Sequence, residues 1–207
     1  MFKRNEGLES IHALIGRAPC LVTVGMAWVD WNRIRPGDGN LALKTLGSGS
    51  SIGLGLALAL PDQKIVVLDG DGAVLMNLNG LVTLGRLRPR NLIQIVFDNK
   101  MYECSGSVPT ATAHGTNLVA MAKGAGIRNA VSVDTLAAFT ETVQRAFAAD
   151  GPHFIVAEVS PSTENVITYP RWLDDSDNRY RFMRYVEALE GRKLHEDAID
   201  VKLSLNS

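Results

Sequence analysis

The sequence predicts an α/β fold with a mostly parallel sheet and helices on both faces. Apolar runs of strand length alternate with helical segments along residues 8–160. Most of the predicted strands are apolar at every position, which is typical of strands that are covered on both sides. The chain has 207 residues, of which 46% are hydrophobic, enough for one domain with a real core and an extension.

The first half of the chain shows this alternation from its start. Leu8, Ile11, Leu14 and Ile15 follow a helical spacing that ends at Gly16. The next predicted elements are a strand over 20–24, a helix that follows Gly25, a turn cluster over 35–40, a helix of small residues over 50–60, and a strand over 64–70. The glycines of the helix over 50–60 would let it pack close to a sheet or to another helix.

The second half continues the pattern after a long interruption. The predicted elements are a helix over 74–86, strands over 91–98, 129–133 and 153–159, and helices over 117–126 and 134–150. Asp134 is the expected N-cap of the last of these helices. Residues 99–116 have no clear periodicity, so we predict a long loop there, and long loops are often functional.

The alternation fails after Pro161, which suggests a division of the chain. We predict one domain over 1–160 and a C-terminal extension over 161–207 with one helix over 178–189. The extension is either a separate arm or a last helix that packs on the core.

The composition excludes several classes of protein. The net charge is -1, so a basic surface for nucleic acid is not expected. The cysteines, Cys20 and Cys104, form no CxxC pair, which argues against a disulfide framework, a zinc ribbon and an iron–sulfur cluster. The N-terminus has no apolar signal region, and the longest apolar stretch, over 52–60, is too short to span a membrane. We therefore expect a cytoplasmic, soluble protein.

Two polar side chains follow two predicted strands. Asp71 follows the strand over 64–70, and Asn99 follows the strand over 91–98. In parallel sheets ligands bind at the carboxyl edge of the strands, so the two side chains would meet in one crevice if the strands are neighbours. Gly70 and Gly72 leave room for a ligand, and the helix after Gly72 offers backbone N–H groups to an anion. Because Mg²⁺ prefers carboxylates and phosphate oxygens, the residues predict a site for Mg²⁺ and a diphosphate.

Other motifs fit these residues less well. An EF-hand loop beginning at Asp69 would need an oxygen ligand at Ala73 and a glutamate at Gly80. The glycine-rich stretch over 47–55 lacks both the dinucleotide fingerprint and the GK[ST] of a P-loop. A pair of simple turns at the strand ends remains the structural alternative for the Asp and Asn residues.

The spacing from "GDG" at 70–72 to "DN" at 98–99 resembles the signature of thiamine-diphosphate enzymes. The resemblance covers residues 8–160 and concerns the diphosphate-binding domain, so it implies the thiamin-diphosphate-binding fold. It implies that Asp71, Asn99 and the backbone carbonyl of Met101 hold Mg²⁺. Asp98 stands where the family has a first asparagine, and that position is not a family metal ligand.

Further segments extend the resemblance to the rest of the cofactor site. "KTLGSGSSIGLGLALAL" is similar to a segment of sulfopyruvate and phosphonopyruvate decarboxylases. This similarity implies that Leu46 bends the cofactor into its V shape and that the carbonyl of Lys44 accepts from the aminopyrimidine. Leu46 as a core residue is the alternative. "VTVGMAWVD" resembles the first strand and turn of the family. The residues that the resemblance implies for binding the cofactor are Gly25, Met26, Lys44, Leu46, Gly70, Gly72 and Ala73.

The resemblance implies a subunit of a thiamine-diphosphate- and Mg²⁺-dependent decarboxylase of a small 2-oxo acid. Length and tail suggest the beta subunit of two-subunit sulfopyruvate decarboxylases. The activating glutamate of the family belongs to a pyrimidine-binding domain, which we expect on a partner subunit in a homo- or hetero-oligomer. The alternatives are an acetolactate-synthase-type carboligase subunit and a non-catalytic cofactor-binding protein. No membrane or nucleic-acid partner is expected.

Overall fold

A computed structural model describes residues 1–161 and 175–194, and it confirms the predicted α/β class. The described residues form nine strands in chain order: β1 (Phe2–Lys3), β2 (Cys20–Thr23), β3 (Asn40–Leu43), β4 (Ile65–Gly70), β5 (Leu92–Asp98), β6 (Met101–Tyr102), β7 (Val108–Pro109), β8 (Asn129–Val133) and β9 (His153–Ser160).

Eight α-helices connect or flank these strands within the described ranges. They are α1 (Arg4–Ile15), α2 (Met26–Ile34), α3 (Gly49–Ala59), α4 (Asp71–Leu75), α5 (Asn79–Leu87), α6 (Leu118–Gly124), α7 (Leu136–Ala148) and α8 (Asp175–Glu190). Two short 3₁₀ turns, Glu103–Ser105 and Ala111–His114, lie in the segment that follows β5.

The main sheet is parallel in every pair and has the order β3-β2-β4-β5-β9-β8. The short β1 pairs with the carboxyl end of β9. The strands β4 and β5 are neighbours, from Ile65 opposite Leu92 to Gly70 opposite Phe97. This register brings the ends of the two strands side by side, as the prediction of a shared crevice requires.

Helices cover the sheet on both faces, and the strands divide their side chains between two cores. In β4, Val66 and Leu68 point to one core, with Trp28 and Phe139, and Val67 points to the other. The first core receives side chains from α1, α2 and α7, and the second from α3, α5, α6 and α8. Burial on both faces explains why these strands are apolar at every position.

The glycines of α3 allow the close packing that the sequence predicted for this helix. A Cβ atom added to Gly53 would lie 2.5 Å from Cγ2 of Val67 and 3.3 Å from Cδ1 of Leu92. A larger residue at position 53 would therefore push α3 away from β4 and β5.

The helix α8 packs on β3, the outer strand of the described sheet. Phe182 and Val186 are buried in the second core. The side chain of Asn178 donates to the carbonyl of Asn40 at 2.9 Å and accepts from the N–H of Ala42 at 2.8 Å. The last described helix is thus packed on the core and is no separate arm. The rest of the predicted extension, over 162–174 and 195–207, lies outside the described residues, and the division of the chain at 160 stays a prediction.

Several local predictions were wrong. Thr135, not Asp134, caps α7, because its hydroxyl accepts from the N–H of Ala138. The helix predicted over 74–86 is two helices, and the side chain of Asn77 in the break donates to the carbonyl of Gly47 at 3.0 Å. The strands β1 and β3 were not predicted. The predicted loop over 99–116 contains the hairpin of β6 and β7.

No helix within the described ranges is long and apolar enough to cross a membrane.

Candidate active site

A cleft of about 200 Å³ opens at the carboxyl edge of the sheet. Its walls come from the end of β2 with the start of α2 (23–27), from 69–73, and from the ends of β5 and β6 with the turn that follows. Arg4 and Leu46 complete the lining. The predicted site residues that line this cleft are Gly25, Met26, Leu46, Gly70, Asp71, Gly72, Ala73, Asn99 and Met101. Segments that are up to 76 positions apart in sequence, from Gly25 to Met101, therefore meet in one cleft.

Asp71 is the first residue of α4 and lies buried at the cleft, with 2% of its surface exposed. Its Oδ2 accepts from Oγ1 of Thr110 at 2.5 Å and from Oγ1 of Thr112 at 3.1 Å. Burial raises the pKa of Asp71 to about 6, the Thr110 hydroxyl opposes this shift, and the nearby charge of Asp98 adds to it. A cation beside this carboxylate would offset both the burial and the repulsion.

Asp98 and Asn99 form two successive side-chain turns at the end of β5. Oδ1 of Asp98 accepts from the N–H of Lys100 at 3.1 Å, and Oδ1 of Asn99 accepts from the N–H of Met101 at 3.0 Å. Lys100 has a left-handed backbone with a φ of 65°, which such turns accommodate. The simple-turn alternative is thus realised here. It does not exclude a cation, because an amide oxygen with one donor keeps a second lone pair.

Three glycines line the cleft, and each has its own structural reason. Gly25 has a φ of 135°, a conformation that L side chains rarely adopt. A Cβ atom on Gly72 would collide with the ring of Tyr102, whereas one on Gly70 would meet no atom within 4 Å. Since Gly70 lines the cleft, a side chain there would occupy space that is open to a ligand.

Asp69 lies at the base of the cleft and belongs to a buried polar network. Its carboxylate accepts from Oγ1 of Thr23 at 2.8 Å, from the N–H of Gly70 at 3.0 Å and from Nε2 of Gln94 at 3.1 Å. Oε1 of Gln94 in turn accepts from Oγ1 of Ser50 at 3.0 Å. Burial raises the pKa of Asp69 to about 6, and these hydrogen bonds oppose the shift. The network joins β2, β4, β5 and α3 beneath the cleft.

Arg4 closes the side of the cleft that is formed by α1 and α2. Its guanidinium donates to Asp30 from Nε at 2.8 Å and to Glu103 from Nη1 at 3.0 Å. Arg4 is 7% exposed, and the side chains of both carboxylates are 12% exposed. Largely buried charge pairs are held in place by the cost of separating them, so Arg4 fixes the turn after Met101 against α2.

Leu46 and Lys44, both predicted to contact the cofactor, differ in whether they line the cleft. Leu46 is partly buried and lines the cleft, and the role predicted for it beneath the cofactor stays a prediction. Lys44 is exposed and does not line the cleft. The role predicted for Lys44 concerned its backbone carbonyl, and it stays a prediction.

Sequence reasoning missed Thr23, Asp69, Thr110 and Thr112. Thr110 and Thr112 lie in the segment that showed no periodicity, 39 and 41 residues after the carboxylate that they contact. No local signal in this irregular part of the sequence indicates that these two hydroxyl groups reach the cleft. His114, also in this loop, does not line the cleft, and Cys104 does.

The residues present fit a divalent cation with a diphosphate. No group of three or more His, Cys, Asp or Glu gathers among the described residues to hold a metal by itself. A site with one carboxylate, one amide oxygen and one carbonyl oxygen leaves positions for phosphate oxygens, which suits Mg²⁺. At the start of α2, the N–H of Trp28 donates to the carbonyl of Gly25 at 3.1 Å. The N–H groups of Met26 and Ala27 precede the first such bond and have no acceptor within the helix, and no acidic side chain lies in the first turn.

Comparisons with known proteins point in the same direction. Residues 25–157 match the family described as thiamine pyrophosphate enzyme, C-terminal TPP binding domain. The chain is 33% identical to the sulfopyruvate decarboxylase subunit beta of Methanocaldococcus jannaschii over 190 residues, which cover 89% of this chain and 97% of that protein. It is 33% identical to the phosphonopyruvate decarboxylase of Streptomyces viridochromogenes over 126 residues, 61% of this chain and 31% of that protein.

The fold is similar to that of a solved benzoylformate decarboxylase from Polynucleobacter necessarius. The TM-score is 0.64, and the sequences are 21% identical. The match covers 78% of this chain and 34% of the solved one, so this chain spans about a third of that structure. The likeness at this identity concerns the fold alone.

Proposed function

Because this chain belongs to the thiamine pyrophosphate enzyme family, whose C-terminal TPP-binding domain it matches, we propose that it is a subunit of a 2-oxo acid decarboxylase that requires thiamine diphosphate and Mg²⁺. One observation carries the proposal. The segments around Gly25, Leu46, Asp71 and Asn99 meet in one cleft, and a buried carboxylate lies where the family motif has its metal ligand.

The chain's part would be to bind and orient the cofactor, which supplies the carbanion chemistry when it is bound. The carboxylate of Asp71, the amide oxygen of Asn99 and the carbonyl oxygen of Met101 would hold Mg²⁺. The backbone N–H groups at Gly25 and Met26 would face the diphosphate. The side chain of Leu46 would support the bent cofactor.

The substrate is proposed as a class, a small 2-oxo acid, in keeping with the names of the relatives. Arg4 is the single basic side chain among the described residues that line the cleft, and its charge is matched by Asp30 and Glu103. We therefore expect the counter-charge for an anionic substrate group to come from another polypeptide. The chain itself does not distinguish a sulfonate from a phosphonate.

A partner subunit with a pyrimidine-binding domain completes the proposal. One observation supports it. The relative from Methanocaldococcus jannaschii, of which 97% is covered by the match, is named as a beta subunit. The partner would supply the glutamate that activates the cofactor, in a hetero-oligomer. The cytoplasm remains the expected location.

The test is CO₂ release from pyruvate, sulfopyruvate and phosphonopyruvate, measured with this chain alone and after addition of a subunit that carries a pyrimidine-binding domain. We expect turnover only in the mixture, only with Mg²⁺, and not with Asp71→Ala in place of this chain. Turnover by the isolated chain would contradict the partner. A coupled product such as acetolactate would favour a carboligase. Cofactor binding without turnover in any mixture would favour a non-catalytic protein.

A further inference from the structure

The loop after β5 returns to the cleft and brings two buried hydroxyl groups to Asp71. Thr110 is 1% exposed and Thr112 is 7% exposed. The N–H of Thr110 donates to the carbonyl of Lys100 at 3.0 Å, which closes the loop on itself next to Asn99. The start of the loop therefore places Asn99 and Met101 near Asp71, and its far end places two hydroxyl groups there.

The hydroxyl protons in this cluster can be counted. Thr110 and Thr112 carry one hydroxyl proton each. The Thr110 proton goes to Asp71, because that contact, at 2.5 Å, is the shortest. Oγ1 of Thr112 lies 2.8 Å from Oδ1 of Asp98, 3.1 Å from Oδ2 of Asp71 and 2.8 Å from Oγ1 of Thr110, so its single proton is shared among these oxygens. Thr112 thus lies between the two carboxylates, and Thr110 is the main donor to Asp71.

We propose that Thr110 and Thr112 are positioning residues that hold the Asp71 carboxylate in the orientation needed for cation binding. Thr110 donates to Oδ2 of Asp71, and Thr112 contacts the same oxygen with its shared proton, so the two hydroxyl groups restrict the rotation of the carboxylate about its terminal bond. Groups that orient a metal ligand in this way typically change metal affinity by about 10–100-fold when they are removed.

The second threonine has a further effect on the neighbouring residue. Asp98 stands where the related enzymes have an asparagine, and its charge faces Asp71. The N–H of Lys100 donates to Oδ1 of Asp98, and the hydroxyl of Thr112, whose shorter carboxylate contact is with the same oxygen, shares its proton with it. These bonds hold the Asp98 carboxylate towards the loop, so that Asp71 remains the carboxylate that is presented to the cleft.

The inference rests on the proposed function, because it takes Asp71 as the cation ligand. The test is titration calorimetry of the full-length chain with Mg²⁺ in the presence of thiamine diphosphate, with the pyrimidine-domain subunit added if the cofactor binds only to the complex. Thermal melting without Mg²⁺ and cofactor is measured alongside. The variants are Thr110→Val, Thr110→Ser, Thr112→Val and the control Thr140→Val. Thr140 is on α7 and does not line the cleft, and its Oγ1 lies 2.9 Å from both Oγ of Ser10 and the carbonyl oxygen of Leu136.

We expect Thr110→Val to weaken Mg²⁺ binding about 10–100-fold and Thr112→Val to weaken it less, because its contact with Asp71 is longer. Thr110→Ser keeps the hydroxyl and should restore wild-type affinity, and Thr140→Val should not change it. A lower melting temperature with unchanged Mg²⁺ affinity would reduce the threonines to a structural role. Tighter binding in Thr110→Val would mean that the hydroxyl competes with the cation. Either result would overturn the inference while the proposed function stands. Absence of Mg²⁺-dependent binding in the wild type would overturn both.

Discussion

Asp69 lies near the end of β4 and Asp71 directly follows that strand, but different parts of the molecule hold the two side chains. Asp69 receives its hydrogen bonds from Thr23 and Gln94, which lie on the neighbouring strands β2 and β5. Asp71 receives its side-chain hydrogen bonds from Thr110 and Thr112, which lie in a loop. Burial raises the pKa of both carboxyls to about 6.

The difference indicates that burial alone does not separate a structural carboxylate from one that is proposed to bind a cation. The side-chain donors to Asp69 belong to neighbouring strands whose register is fixed by the whole sheet, so the Asp69 carboxylate links these strands. The donors to Asp71 belong to a loop that also carries Asn99, so the Asp71 carboxylate links this loop to the end of β4 at the cleft. Substitutions at the two positions should therefore differ in which property they change.

The largest effect is expected for Asp71→Ala. Two phosphate groups beside a carboxylate repel one another unless a cation neutralises them, and this substitution removes the one carboxylate among the proposed ligands. We expect calorimetric titration to show that affinity for thiamine diphosphate with Mg²⁺ falls more than about 100-fold. Asn99→Ala should reduce it less, because a neutral amide contributes less. The control is Asp62→Ala, which removes an exposed carboxylate. Unchanged affinity for Asp71→Ala would refute the metal assignment.

The matched substitution Asp69→Ala should mainly lower stability. It leaves the Thr23 hydroxyl, the Gly70 N–H and the Gln94 amide without their acceptor in a buried site, which we expect to cost about 2–4 kcal/mol. Urea unfolding measures this cost. Cofactor affinity of the folded fraction should change far less than for Asp71→Ala. If Asp69→Ala were as stable as the wild type but no longer bound the cofactor, Asp69 would be a binding residue and not a structural one.

Leu46→Ala should give an intermediate effect and should affect turnover more than folding. Leu46 is partly buried and lines the cleft, so its truncation should cost less than the about 2–5 kcal/mol of a buried leucine. We expect kcat of the complex with the partner to fall about tenfold through loss of cofactor orientation. Leu54→Ala, in the second core, should show the opposite pattern. Normal kcat with a large loss of stability in Leu46→Ala would make Leu46 a core residue.

The smallest expected effect is a pH dependence of stability. The pKa of Asp69 is raised from 3.8 to about 6 in the folded protein by burial. The folded state therefore binds more protons than the unfolded state between these values, and the free energy of unfolding should decrease as the pH rises through that window. Unfolding curves at about pH 5 and about pH 7 measure the slope. Asp69→Asn should reduce the slope of stability against pH. The remaining slope should come from Asp71, whose pKa is also raised. An identical slope in the variant would show that Asp69 is not the group that titrates.

The sequence predicts the strands near the cleft better than the loop that closes it. The strands β4 and β5 are almost entirely apolar and are followed by polar residues at Asp-Gly and Asp-Asn. Their composition and their ends therefore both predict buried strands that stop at the cleft. The resemblance to thiamine-diphosphate enzymes, confirmed by the family match, rests on these ends. Thr110 and Thr112 act through contacts with Asp71 and Asp98. No local pattern marks a hydroxyl whose partner is tens of residues away.

The other missed features have similar causes. The strand β3 has four residues between glycine-rich turns, and its pairing with β2 decides its conformation. The break between α4 and α5 depends on the contact of Asn77 with Gly47, thirty residues earlier. The predicted cap of α7 was wrong by one position, because Asp134 and Thr135 are both residues that commonly cap helices. In the structure the helix begins after Thr135, whose hydroxyl accepts from the N–H of Ala138.

The side-chain amide of Asn178 forms hydrogen bonds with the backbone of the outer strand β3, at the carbonyl of Asn40 and the N–H of Ala42. A protein shortened at the predicted domain boundary after Ser160 would keep the cleft and the family motif, but it would lose this amide together with Phe182 and Val186. The outer edge of β3 would then expose unpaired N–H and C=O groups, which recruit strands from other molecules. We expect such a minimal domain to aggregate, so α8, which contributes no residue to the cleft, would protect the protein by covering this edge.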